Sequence, residues 1–277
     1  MGARPKTLLA SFIPPLCTYL IFIRSKDSSD ILLLISILLS ALFIQISTNF
    51  FNDAIDFEKG SDEKRVGPSR ITSSGFVTVT KVKRWAIISL GLATLFGVPI
   101  LLKGGLIYFF MGTLSLFLTY GYTGGPFALA YKGLGEVFVF IFFGLFSVLG
   151  TYHLYRVTFD WNVFYIAISF GLLATTLICI NNYRDRHTDP LTKKMTLATL
   201  VSDRTYLGII VATVLAPYFI YTFLPFRSYV ILFSLPLALK IISHIFKSDG
   251  EKLNPVLAMA GGHLLLFSIS CVLSINL

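Results

Sequence analysis

Long apolar runs constrain this chain more than any other feature of its sequence. A helix needs about 20 apolar residues to cross the hydrocarbon core of a bilayer. Runs close to that length, separated by short polar segments, take up most of the 277 residues. With 55% hydrophobic and only 13% charged residues, the chain has more apolar surface than a soluble domain of this size hides in one core. The sequence therefore predicts an integral membrane protein whose main partner is the lipid bilayer.

The apolar runs predict an all-α bundle of nine transmembrane helices. Backbone groups in lipid must satisfy their own hydrogen bonds, which helices do, whereas a β-barrel would need short alternating strands. The first run follows Met1 without a small-residue cleavage site, so we interpret it as a span and not as a removed signal peptide. The nine helices are predicted near residues 8–23, 30–51, 86–102, 105–120, 134–150, 161–182, 206–223, 228–246 and 254–275.

The positive charges predict the orientation of this bundle. If nine spans are threaded in order, most of the 23 Lys and Arg residues fall on the side that holds the N-terminus. The positive-inside rule places that side in the cytoplasm. The net charge of +9 then reports orientation, and we exclude nucleic acid as a partner. We expect one domain over residues 1–277, with cytoplasmic loops near 52–85 and 181–204.

A first acidic cluster ends the second predicted span, at residues 49–62 (NFFNDAIDFEKGSD). If the helix continues there, Asn52 and Asp56 lie one turn apart on one face, with Asn49 a turn earlier and Asp53 beside them. Ionised Asp at bilayer depth costs about 2.5–3.5 kcal/mol even on a lenient insertion scale. The cluster therefore needs a compensating ligand.

A second cluster ends the sixth predicted span, at residues 181–189 (NNYRDRHTD). Asn181, Asp185 and Asp189 follow the same four-residue spacing, which predicts a row on one helix face. Four spans separate the two clusters, and an even number of crossings returns the chain to its starting side. We therefore expect both clusters at the same cytoplasmic mouth.

Oxygen ligands without Cys or His favour Mg²⁺, which also binds phosphate oxygens. The three cysteines and four histidines are scattered, so a zinc site is not expected. A single D-x-x-D at a span end is usually a solvated cap, but two such clusters on one side, each followed by cations, favour a magnesium and diphosphate site. The neighbouring cations are Lys59, Lys64, Arg65, Arg70, Arg184, Arg186, Lys193 and Lys194.

Three stretches carry a resemblance to a known family: residues 52–70 (NDAIDFEKGSDEKRVGPSR), 122–136 (YTGGPFALAYKGLGE) and 181–189. They resemble the UbiA superfamily of intramembrane aromatic prenyltransferases, and most closely its MenA-type 1,4-dihydroxy-2-naphthoate polyprenyltransferases. The resemblance covers nearly the whole chain. It implies a nine-helix bundle in the bacterial cytoplasmic (inner) membrane and Mg²⁺-dependent prenyl transfer from polyprenyl diphosphate to the dihydroxynaphthoate. CO₂ and diphosphate would be lost, giving demethylmenaquinone for menaquinone biosynthesis.

The resemblance also implies residue roles. The metal ligands would be Asn52, Asp56, Asp185 and Asp189. The catalytic acids would be Asp53, Asp56, Asp62, Asp185 and Asp189, with Asp53 or Asp62 assisting deprotonation of the acceptor. The substrate-binding residues would be Asn52, Lys64, Arg65, Arg70, Tyr122, Lys132, Asn182, Arg184 and Lys193. Aromatic side chains between the clusters would line a dry chamber in which ring faces stabilise an allylic carbocation.

Three alternatives remain open on the sequence. In the first alternative, the enzyme prenylates another aromatic acceptor, such as a dihydroxy-6-naphthoate or 4-hydroxybenzoate. The second is a transporter for an anionic lipid, although its charges are expected at mid-span and here they lie at span ends. The third is a phospholipid head-group transferase, whose D-G-x-x-A-R pattern is absent from the sequence. Donor chain length and oligomeric state are not fixed by the sequence.

Overall fold

The computed structural model describes residues 5–61, 67, 70–226 and 228–274. Within these ranges the chain is helical apart from its connecting loops, and the one β-type pairing is an isolated parallel bridge between Lys132 and Met195. The predicted site residues Asp62, Lys64 and Arg65 lie outside the described residues.

Eight long helical elements follow one another in the described residues, apart from short helical turns in the loops. They are α1 (Pro5–Thr18, continued by a π-helical turn over Tyr19–Ile23), α2 (Ser28–Glu58), α3 (Val79–Gly121), α4 (Gly135–Tyr155, with a π-helical stretch over Phe140–Phe146), α5 (Trp161–Asp185), α6 (Asp203–Tyr221), α7 (Tyr229–Ile245) and α8 (Gly250–Ser274). Within the described ranges, six of them are long and apolar enough to cross a membrane, namely α2, α3, α4, α5, α6 and α8. Helices α1 and α7 are apolar but shorter.

Helix α3 is broken near its middle at Gly105. This residue has φ 66° and ψ −149°, a conformation that costs glycine little and other residues much. The break divides α3 into two helical segments, so the described part of the chain contains nine such segments. Their positions match the nine predicted apolar runs, and the division falls at the predicted join between residues 102 and 105.

Helix α5 forms the centre of the bundle. Most residues in the apolar stretch of α5 are buried inside the protein, whereas few residues in the apolar stretch of α3 are buried. Helix α4 crosses α5 at very short range, because a Cβ atom on Gly144 would lie only 2.6 Å from the Ala167 carbonyl oxygen and 2.6 Å from Gly171 Cα. Two glycines on facing helices thus allow the backbones to touch.

The helix ends carry the acidic clusters. Helix α2 continues to Glu58, seven residues beyond the predicted end, so residues 49–58 of the first cluster lie in its last turns. Helix α5 ends at Asp185, and a separate 3-10 turn begins at Asp189. The predicted row of Asn181, Asp185 and Asp189 on one helix face is therefore wrong for Asp189, which lies on the turn that follows the helix.

Candidate active site

An elongated cavity of about 730 Å³ runs through the bundle between α1, α2, α3, α4, α5 and α8. On α2 its lining extends from Ile37 to Asp53, which is about 24 Å at 1.5 Å per residue. Most of the wall is apolar, with Phe138, Phe142 and Phe146 on α4. One end is polar, and there the wall includes Asn49, Asn52, Asp53, Arg70, Asn181, Arg184 and Asn254. The cavity is thus amphipathic along its length.

Arg70 organises the first acidic cluster. Its Nη1 forms a short salt bridge with Asp56 Oδ2 and donates to the Asn52 carbonyl oxygen at 3.0 Å, while its Nε lies 3.6 Å from Asp53 Oδ1. The Ile71 backbone N–H donates to Asp53 Oδ2 at 3.3 Å. Asp53, Asp56 and Arg70 are all buried. The loop after α2 therefore folds back to place a cation on the helix-end carboxylates.

Arg184 organises the end of α5 in a similar way. Its guanidinium donates to both carboxylate oxygens of Asp185, at 2.8 and 2.7 Å, and to Asn181 Oδ1 at 2.9 Å. It also donates to Asn254 Oδ1 on α8 at 3.0 Å. Arg184 is only 2% exposed and still contributes to the cavity wall. A second guanidinium thus faces the polar end of the cavity.

Asp189 lies near carboxylates of both acidic clusters, those of Asp56 and Asp185. Lys194 Nζ lies 3.1 Å from Asp189 Oδ1, while the buried Oδ2 atom has no hydrogen-bond partner in the described part of the chain. Burial raises the pKa of Asp189 to about 6; Lys194 opposes the shift, and the nearby carboxylates of Asp185 and Asp56 add to it. Negative charge from both clusters is therefore concentrated at one place.

The loop between α3 and α4 joins the two clusters. Tyr131 in this loop donates its hydroxyl to Asp56 Oδ1 at 2.7 Å and lies 3.1 Å from Ser61 Oγ. Ser61 in turn donates to Thr192 Oγ1, beside the second cluster, at 3.0 Å. Lys59 Nζ stacks over the Tyr131 ring at 3.8 Å. The two acidic clusters meet at one mouth.

Residues 12–267 match the UbiA prenyltransferase family, which is more than nine-tenths of the chain. The chain belongs to the UbiA prenyltransferase family. It is therefore an enzyme, and the resemblance noted from its three motif stretches is confirmed.

Two relatives and one solved structure are similar to this UbiA prenyltransferase. It is 32% identical to the 1,4-dihydroxy-2-naphthoate octaprenyltransferase of Haemophilus influenzae, over 96% of this chain and 92% of that protein. It is 34% identical to the enzyme of the same name from Mycobacterium leprae, over 64% of this chain and 61% of that protein. The fold matches a UbiA homolog from Archaeoglobus fulgidus, solved bound to DMAPP and Mg²⁺, with a TM-score of 0.61, 18% identity, and coverage of 100% of this chain and 98% of that one.

Several predicted site residues of this UbiA prenyltransferase do line the cavity, namely Asn52, Asp53, Arg70, Tyr122 and Arg184. Asp56, Asp185 and Asp189 lie directly beside its polar end through the contacts described above. The amide of Asn52 also accepts a hydrogen bond from the Thr123 hydroxyl.

Three other predicted substrate-binding residues do not line the cavity. Lys132 is exposed and donates to the Pro126 carbonyl oxygen at 3.1 Å. Lys193 is exposed at a left-handed position, φ 59°, and the next residue, Lys194, provides the buried cation instead. Asn182 is turned away from the cavity, and Asn181 lines it. Asn181 and Asn182 are successive residues of α5, so their side chains point in different directions.

The structure adds residues that sequence reasoning missed. Tyr131 and Asn254 both contact predicted site residues, but nothing in a single sequence shows that contact between distant positions. Glu136 is buried and does not line the cavity; its Oε1 accepts from Asn182 Nδ2 at 2.9 Å and from the Tyr206 hydroxyl. Its position as an acid at the start of an apolar run was the available signal.

The donor set suits magnesium chemically. It consists of carboxylate and amide oxygens, and one buried oxygen of Asp189 lacks a partner among the described residues. In the same ranges no three Asp, Glu, His or Cys side chains lie close enough to enclose an ion alone. Mg²⁺ usually binds one or two carboxylates and keeps water and phosphate oxygens as its other ligands. The residues therefore fit an ion that a diphosphate helps to bind.

Proposed function

We propose that this enzyme transfers a polyprenyl group from polyprenyl diphosphate to 1,4-dihydroxy-2-naphthoate, releasing diphosphate and CO₂ and giving demethylmenaquinone in its reduced, quinol form. The observation that carries the proposal is the amphipathic cavity, which joins two acidic clusters and two buried guanidinium groups to a long apolar channel. The names of the similar bacterial proteins support the choice of acceptor and of a polyprenyl donor.

The polar end of the cavity would bind the donor diphosphate. Asn52, Asp56, Asp185 and Asp189 would hold Mg²⁺, which supplies positive charge to the leaving diphosphate. Lys194 and Arg70 contact those carboxylates, so each is placed to bind phosphate oxygens when the donor enters. Asp62, Lys64 and Arg65 stay proposed members of this site.

The apolar wall would hold the prenyl chain and exclude water. When the bond from the allylic carbon to the diphosphate oxygen breaks, the carbon becomes electron-poor and must meet the acceptor ring before it meets water. Phe138 and Phe142 stack at 6.1 Å between ring centroids, and Phe146 continues the row. Their ring faces stabilise developing positive charge.

The acceptor would bind at the α5 and α8 side of the polar end. Arg184, held by Asn181 and Asn254, presents a guanidinium to the cavity, and a guanidinium pairs well with a carboxylate. The acceptor ring attacks the allylic carbon at the position that carries its carboxyl group, which then leaves as CO₂. Asp53 or Asp62 would assist deprotonation of an acceptor hydroxyl.

The membrane arrangement is part of the proposal. We infer a single domain over residues 1–277 with nine transmembrane helices, in which the two segments of α3 cross separately. The N-terminus and the loops near 52–85 and 181–204 would face the cytoplasm of a bacterium, where soluble acceptor and magnesium are supplied. The unequal distribution of Lys and Arg supports this orientation.

The test is a product assay on purified enzyme with one labelled polyprenyl diphosphate, Mg²⁺ and a choice of acceptors. We expect a decarboxylated prenyl product with 1,4-dihydroxy-2-naphthoate, identified by mass, and no product after chelation of Mg²⁺. If the enzyme prefers a dihydroxy-6-naphthoate or 4-hydroxybenzoate, that compound replaces 1,4-dihydroxy-2-naphthoate as the proposed acceptor. Failure to release diphosphate with any acceptor would overturn the proposed prenyl transfer and favour transport of an anionic lipid.

A further inference from the structure

Tyr131 lies at a junction of three segments. Its hydroxyl donates to Asp56 Oδ1 at 2.7 Å, and Ser61 Oγ lies 3.1 Å from the same hydroxyl. Its ring packs under Lys59, whose Nζ also donates to the Thr123 carbonyl oxygen at 2.9 Å. The loop between α3 and α4 is thereby held against the end of α2 by one ring face and the hydroxyl of a single side chain.

A chain of hydroxyl groups continues from this junction to the second cluster. Ser61 donates to Thr192 Oγ1 at 3.0 Å, and Thr192 donates to the Asp189 carbonyl oxygen at 3.1 Å. Four consecutive contacts therefore connect the Asp56 carboxylate with the backbone of Asp189. The isolated backbone bridge between Lys132 and Met195 runs alongside it.

We propose that Tyr131 is a positioning residue that orients the Asp56 carboxylate and, through Ser61 and Thr192, holds the two acidic clusters in register around one magnesium diphosphate. The proposal rests on the proposed function for the identity of the ligand. Tyr131 is not itself placed in the cavity wall, so it acts through Asp56.

The physical reason lies in the two oxygens of Asp56. Arg70 contacts Oδ2 and Tyr131 contacts Oδ1, so the plane of the carboxylate is fixed from both sides. Outer partners of this kind change metal affinity or activity by about 10–100-fold when removed. The hydroxyl should therefore matter for ion binding although it touches no ion.

The experiment measures Mg²⁺ binding directly, by the increase in thermal unfolding midpoint of the purified protein during a Mg²⁺ titration with inorganic diphosphate present. Tyr131→Phe keeps the ring under Lys59 and removes only the hydroxyl. We expect its half-saturating Mg²⁺ concentration to rise at least tenfold. Tyr120→Phe is the matched control, since no described residue hydrogen-bonds the Tyr120 hydroxyl, and it should titrate like the unmodified protein.

Two further variants test the chain itself. Ser61→Ala and Thr192→Val should each raise the half-saturating Mg²⁺ concentration several-fold, and Thr192→Val should add nothing when Tyr131→Phe is already present. A Tyr131→Phe titration that matches Tyr120→Phe would overturn the positioning role. If Tyr131→Phe does not fold, unchanged titrations of both Ser61→Ala and Thr192→Val overturn the coupling. Product formation by the unmodified enzyme is scored separately, so a failure of the proposed function is distinguishable.

Discussion

Replacing Arg184 with methionine removes a buried charge whose partners stay behind. Arg184 donates four hydrogen bonds, two to Asp185 and one each to Asn181 and Asn254. Both Arg184 and Asp185 are almost completely buried. Removing one member of a buried ion pair costs about 3–5 kcal/mol, because the remaining charge is left uncompensated. We expect a loss of that size in the free energy of unfolding.

The assay is thermal unfolding of the purified protein in detergent, without Mg²⁺. A loss of this size lowers the unfolding midpoint by on the order of 10 °C for a chain of this length. Lys83→Met is the matched control, because the Lys83–Glu58 pair is 38% and 47% exposed and exposed pairs contribute about 0–1 kcal/mol. The double variant Arg184→Met/Asp185→Leu should recover much of the stability, since no uncompensated charge remains.

The effect of Mg²⁺ on the unfolding midpoint is a second test of the Arg184→Met variant. In Arg184→Met the proposed metal ligand Asp185 has lost its guanidinium partner, so added Mg²⁺ should raise the midpoint of this variant more than that of the unmodified protein. If Arg184→Met unfolds like Lys83→Met, the contacts at the end of α5 do not stabilise the bundle as described.

Two further predictions address packing and donor binding. Gly144→Ala should destabilise the protein by about 1–3 kcal/mol in thermal unfolding, because the added methyl meets the α5 backbone, whereas Gly91→Ala meets nothing within 4 Å and should be neutral or stabilising; equal midpoints for the two would contradict the close crossing. Lys194→Met should raise the donor KM about tenfold because it removes the buried cation on Asp189, while Lys193→Met, an exposed position, should leave KM unchanged; the reverse order would restore Lys193 as the phosphate contact.

Hydropathy alone located the helical segments. Apolar runs of bilayer length have few alternatives in lipid, which is why the predicted division near Gly105 appears as a real break in α3. The ends of the helices were less predictable. Helix α2 extends to Glu58 because its last turns find partners in the loop after it, and sequence periodicity contains no information about that loop.

The site was predictable by composition and not by exact position. Regular four-residue spacing identified Asp56 and Asp185 as helix-end acids, and both lie at the polar end of the cavity. The same spacing placed Asp189 on α5, but the helix ends four residues earlier and the lysine that reaches it shifts from 193 to 194. Contacts such as that of Tyr131 with Asp56 join residues 75 positions apart, and only the folded chain reveals them.

We propose that two acidic helix ends together bind one magnesium diphosphate. The most direct measurement is Mg²⁺-dependent release of diphosphate from labelled polyprenyl diphosphate in the presence of acceptor, by purified Asp56→Asn and Asp185→Asn variants whose unfolding midpoints are recorded in parallel. Each substitution keeps the side-chain volume and removes one charge. We expect either substitution alone to abolish release in a folded protein. Normal release by either folded variant would contradict it.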